Sequence, residues 1–151
     1  MSKRLAVTMV SVGLVVLLVL GLFALLPRGY EAYRQSAVSA AQQAMGAVRT
    51  AQLIGQATLA GRALSPYSSR AVTDALSRAS SAVADLTGQD VPDGQSQRVR
   101  DELTPLLVAS TTQIADILSA LAADDRPRLQ VMVRAAATLG NKVNVFVRRY
   151  Q

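Results

Sequence analysis

The chain has 151 residues, half of them hydrophobic, with 16 basic side chains against 10 acidic ones and neither histidine nor cysteine. Their absence removes the commonest general base, the thiol nucleophile, the commonest transition-metal ligands and all disulfides. Two Phe, four Tyr and no Trp, with no block of like charge, leave no stacking platform or basic tract for nucleic acid.

The first element is an uncharged run over residues 5–26, interrupted by nothing stronger than Thr8, Ser11, Gly13 and Gly21. A helix of that length spans roughly 33 Å, against about 30 Å for a bilayer core, so the run predicts a transmembrane helix. Lys3 and Arg4 precede it, as in a secretory signal. A cleaved signal, however, has an apolar core of about 7–15 residues and then a small-x-small site. Here Leu25, Leu26, Pro27 and Arg28 follow, so the reading is an uncleaved anchor. Lys3 and Arg4 favour a cytoplasmic N-terminus and an extracytoplasmic domain, although Arg28 and Arg34 flank the other side and weaken the asymmetry. Residues 27–35 are expected to form a juxtamembrane stalk, with Arg28, Tyr30, Tyr33 and Arg34 among the headgroups, where aromatics anchor and arginines snorkel.

Beyond Pro27 nothing reads as a strand. Residues 36–151 are expected to form one all-α domain of four helices, near 36–64, 68–87, 96–123 and 126–150, the first continuing back to residue 28. The first carries small residues at helical spacing: Ala37, Ala41, Ala44, Val48, Ala51 and Gly55. Ser65-Pro66 reads as its stop. The second shows one seam of Val72, Leu76, Ala79, Val83 and Leu86, with Ser68 or Ser69 as cap and Gly88 at its end. A loop with turn chemistry over residues 89–95 follows.

The third helix places Val99, Leu103, Leu106, Ser110, Ile114, Ile117 and Leu121 on one stripe. Pro105 interrupts it, so either Thr104 caps a new helix or a longer one kinks there. Asp124, Asp125, Arg126 and Pro127 read as a stop, an aspartate cap and a proline in the next first turn. The fourth helix aligns Leu129, Met132, Ala136, Leu139, Val143, Phe146 and Tyr150. Four such helices with short turns predict an antiparallel up-down bundle. That topology returns the 89–95 loop and Arg148, Arg149 and Tyr150 to the lipid side.

Catalytic constellations are missing. No phosphate loop, Rossmann glycine pattern or nucleophile elbow occurs. Asp101 and Glu102 are adjacent and so diverge on a helix, Asp124 and Asp125 are explained by capping, and Asp74 with Arg78 makes an ordinary surface pair. The reading is a non-enzyme without metal or cofactor. Two surface groups remain. Lys142, Arg148, Arg149 and Tyr150 face lipid or a partner, or are cations favoured at a helix C-terminus. The alanine and glycine face over residues 37–61 packs inside the bundle or docks another helix.

Residues 47–53 (AVRTAQL), Ser65-Pro66-Tyr67 and Val91-Pro92-Asp93 resemble a group of small alanine-rich single-pass membrane proteins of actinobacteria. The layout is also similar to LemA-type proteins and chemoreceptor sensor bundles, which place four helices after a membrane segment. The resemblance implies an anchored helical domain and supplies no site residues. A second span and a signalling region are absent from this sequence, a departure from the receptors. Function is therefore expected to be that of an accessory or scaffolding protein in a membrane or envelope complex. The partners would be the lipid bilayer and a membrane complex or a second copy. The alternatives are a small-molecule sensing module and, more remotely, a phage-type inner-membrane lysis subunit.

Overall fold

Alanine decides where the first helix sits. In the computed structural model, which describes residues 28–63 and 65–151, α1 runs Arg28–Leu59, α2 Ser65–Thr87, α3 Gly94–Ala122 and α4 Arg126–Tyr150. No strand occurs among the described residues, as the composition predicts. The apolar run over residues 5–26, together with Lys3 and Arg4, lies outside them. Ala37, Ala40, Ala41, Ala44, Ala47 and Ala51 are all buried along α1. Alanine is the best helix former and lets neighbouring backbones approach closely. As a result α1 packs against all three other helices, while the α2–α4 diagonal is nearly empty.

Gly55 marks the closest approach. A methyl group placed there would stand 2.5 Å from Val133 Cγ2 on α4, well inside van der Waals contact. The bulk comes from the other helices, in two clusters. One joins Tyr33 and the first alanines of α1 to Leu86, Val99, Leu103, Leu107, Val143 and Phe146. The other joins Val48 and Ala51 to Val72, Ile114, Ile117, Leu129 and Val133. Each cluster pairs the start of one helix with the end of the next, so sequence neighbours run antiparallel.

The far end of the molecule has two matching turns. After α1, the Arg62 amide donates to the Ala57 carbonyl at 2.8 Å and the Gly61 amide to Thr58 at 3.0 Å. Gly61 sits between them at φ +70°, the left-handed residue of a Schellman turn. After α3 the same pattern recurs, Asp125 to Ala120 at 3.0 Å and Asp124 to Leu121 at 3.2 Å. There Asp124 takes the left-handed position, at φ 50°. Asp125 caps α4 by accepting from the Arg128 amide at 3.0 Å, with Pro127 in the first turn as expected.

Several boundaries differ from the sequence reading. The first helix stops at Leu59, and Ser65-Pro66 opens α2 rather than closing α1. Proline suits both places, because a first-turn residue needs no amide hydrogen. Ser68 and Ser69 therefore both lie inside α2, and Ser68 is fully buried, with its hydroxyl 3.1 Å from that of Thr58. α3 begins at Gly94, capped by Asp93, whose carboxylate accepts from the Ser96 amide at 2.7 Å. It then runs unbroken through Pro105. Thr104 caps no new helix; its hydroxyl donates back to the Arg100 carbonyl at 2.8 Å, while Pro105 lies on the exposed side.

No free stalk precedes the bundle within the described residues. Gly29 already packs on Pro92, to which an added methyl group would come within 2.9 Å. Tyr33 belongs to the core. Among the described residues α3 is the one helix long and apolar enough to cross a membrane. In this fold Val99, Leu103 and Leu107 belong to the first cluster and Ile114 and Ile117 to the second, while Val108 is exposed.

Candidate functional site

Of the residues singled out from sequence, Tyr30, Tyr33, Arg34, Arg149 and Tyr150 converge at one end. The start of α1, the Val91-Pro92 loop and the last turn of α4 lie together there. Arg34 joins them: its guanidinium donates to the Tyr150 carbonyl and, at 3.2 Å, to that of Gln151. Glu31, one turn earlier, accepts from the same guanidinium at 3.1 Å. Those bonds hold the Glu31 carboxyl below the ordinary carboxylate range and raise the already high pKa of Arg34.

Glu102 on α3 closes the other side. One of its oxygens accepts from Arg149, the other from the Tyr150 hydroxyl at 2.8 Å. The Tyr150 pKa is raised, first by that hydrogen bond to a carboxylate and then by burial. Its ring packs against Phe146 in a tilted pair, with centroids 4.7 Å apart. Glu31, Arg34, Glu102, Arg149 and Tyr150 thus form a polar clasp across three helices.

Tyr33 corrects an expectation. A headgroup contact was predicted for it, yet the residue is only 3 % exposed and its hydroxyl meets no hydrogen-bond partner. Burial accordingly pushes the phenol pKa up, and the neutral form is the one the core holds. The signal was available in the sequence: Tyr33 stands four residues before Ala37 and continues the inward stripe. Tyr30 packs at the edge of the same cluster. Lys142 and Arg148 take no part in the clasp and lie exposed on α4. Ala37, Ala41, Ala44, Ala51 and Gly55 face inward, where this chain's own helices occupy them, while Gly46, Ala60 and Gly61 are exposed.

The interior offers little room. One cavity of about 20 Å³ sits at the far end among Thr58, Ser68, Asp124 and Arg126, space for about one water. A surface cleft of about 270 Å³ runs beside the clasp, between Arg34, Val38, Gln42 and Tyr150. Among the described residues no three His, Cys, Asp or Glu side chains gather to hold a metal. The arrangement offers hydrogen bonds and charge, and no activated nucleophile. No protein-family model, curated protein or solved structure matches this chain.

Proposed function

We propose that the chain is a single-pass membrane-anchored helical bundle that acts as a non-catalytic accessory or scaffolding protein of a membrane or envelope complex. Residues 5–26 cross the bilayer, the N-terminus is cytoplasmic, and α1–α4 form an antiparallel up-down domain on the extracytoplasmic side. The observation that supports this reading is the convergence at one end of everything adjoining the anchor. Arg34 ties the start of α1 to the end of α4, and Pro92 packs on Gly29. A domain that emerges from a span and folds back on it brings those segments together. Both histidine and cysteine are absent, which favours binding over catalysis. The anchored layout agrees with the alanine-rich actinobacterial proteins that the sequence resembles.

Affinity purification of the tagged full-length chain in mild detergent, followed by quantitative mass spectrometry, tests the reading. A stoichiometric set of membrane proteins is the expected result. Recovery as a lone monomer or homodimer, or from the soluble fraction, would overturn it.

A further inference from the structure

One helix carries the basic excess. α4 holds Arg126, Arg128, Arg134, Lys142, Arg148 and Arg149 and not a single carboxylate. Arg128, Val131, Arg134, Lys142, Val145 and Arg149, at spacings of three, three, eight, three and four, fall along the side opposite the buried Leu129, Val133, Ala136 and Gly140. All six are exposed, and the two valines are each 57 % exposed, as much as any aliphatic residue on the surface apart from Leu53. Only the two ends of the stripe are neutralised. Asp116 lies 3.5 Å from Arg128 and Glu102 pairs with Arg149, both from α3. On the α1 side the one carboxylate, Glu31, is engaged by Arg34. Arg134 and Lys142, at the centre, have no carboxylate in salt-bridge range among the described residues.

A stripe of cations with aliphatic side chains between them, on a helix about 37 Å long, suits a planar anionic surface that has an apolar layer beneath it. We infer that the outer face of α4 lies on an anionic lipid surface, so that the bundle reclines against the bilayer instead of standing away from it. The inference rests on the membrane reading above. It is compatible with the fold, because the last turn of α4 sits beside the start of α1. Arg134 and Lys142 would meet lipid phosphates while Val131 and Val145 enter the headgroup boundary.

The absence of native cysteine permits a direct test on the full chain. Val131→Cys and Val145→Cys each give a single labelling site, and Ser81→Cys on the opposite helix α2 serves as control. The labelled proteins are placed in nanodiscs of phosphatidylcholine alone or with about 30 % phosphatidylglycerol, an anionic surface that attracts basic side chains. Quenching by a water-soluble paramagnetic agent is then read. At positions 131 and 145 quenching is expected to fall several-fold in the anionic discs only. It should recover in about 1 M salt, where screening shortens to about 3 Å. Position 81 stays open throughout.

Arg134→Glu with Lys142→Glu is expected to abolish the protection, since each cation removed weakens surface association about five-fold. Circular dichroism establishes that this variant remains folded. Equal quenching at 131 and 145 in both lipids overturns the inference and leaves the anchor standing. Protection seen only in discs extracted with native membrane proteins also overturns it and assigns the face to an acidic protein. Failure to elute with phosphatidylcholine discs overturns the anchor; binding to anionic discs alone would then still uphold the α4 surface.

Discussion

The two ends of this bundle are closed by different physics. At the far end, Gly61 and Asp124 reverse the chain through backbone hydrogen bonds between residues five apart or closer. At the near end, Arg34 reaches Tyr150, 116 residues away, and Glu102 reaches it across 48. Local turns need only the right dihedral angles. The clasp needs the whole fold in place before any of its bonds exist. The near end is therefore set by assembly; the far end is set first by chain conformation, to which Arg126 adds one long-range bond, donating to the Leu59 carbonyl at 2.8 Å.

The largest expected effect lies in the apolar layer beneath the clasp. Phe146 is fully buried there, and Phe146→Ala should lower stability by about 3–5 kcal/mol in urea unfolding of the full-length chain in detergent. A loss below that of a far-end Ile117→Val, about 0.5–1.5 kcal/mol, would mean that the near cluster is no core at all. Next comes the close approach of α1 and α4. Gly55→Ala should cost about 1–3 kcal/mol by overpacking against Val133. Adding Val133→Ala should make the double variant more stable than the sum of the two, because the same methyl groups collide.

The paired turns give a sharper comparison with smaller numbers. Gly61→Ala places a side chain at φ +70° and should destabilise by about 1–2 kcal/mol. Asp124→Gly relieves the equivalent strain at φ 50° and should be neutral or stabilising. Opposite signs in matched thermal melts would confirm that conformation governs this end; equal signs would break the comparison.

The smallest effect belongs to the clasp itself. The Arg149–Glu102 pair is substantially exposed, so Glu102→Gln should cost less than about 1 kcal/mol, and less still in high salt. Its pH signature is more informative. The Tyr150 pKa is raised in the folded state, so its contribution is complete below the ordinary tyrosine value and is lost as pH rises through the higher folded one. Hydrogen exchange should show the last turn of α4 loosening at alkaline pH before residues 57–62, and Tyr150→Phe should remove that difference. Uniform loosening at both ends would show that the clasp does not hold the helix end.

What the sequence made legible follows the same division. The helices and most of their inward stripes are periodic patterns, and the Asp125 cap with Pro127 is a signal three residues long; both are legible, although the core takes Leu107, Val133 and Gly140 where the stripes placed Leu106, Met132 and Leu139. Ser65-Pro66 was misread because proline marks the end of one helix and the first turn of the next equally well. Tyr33 was misread because the apolar run upstream suggested a headgroup role, although its four-residue offset from Ala37 argued for the core. Of the clasp, Arg34, Arg149 and Tyr150 were singled out, but their partners were not. Nothing in the spacing of Arg34 and Tyr150 says that one will hold the carbonyl of the other. That bond is a property of the closed bundle alone.

The central position of α1 has a further consequence, for the order of events during synthesis. α1 precedes every helix that it packs against. It can pair early with α2, but the groove around Gly55 remains open until α4 has been translated. Contacts as distant in sequence as Gly55 with Val133 form slowly, and a surface awaiting its partner is open to the wrong one. A lining of alanine and glycine offers little for a stray apolar segment to grip, so the residues that let α4 in late also keep the vacancy from being filled too soon.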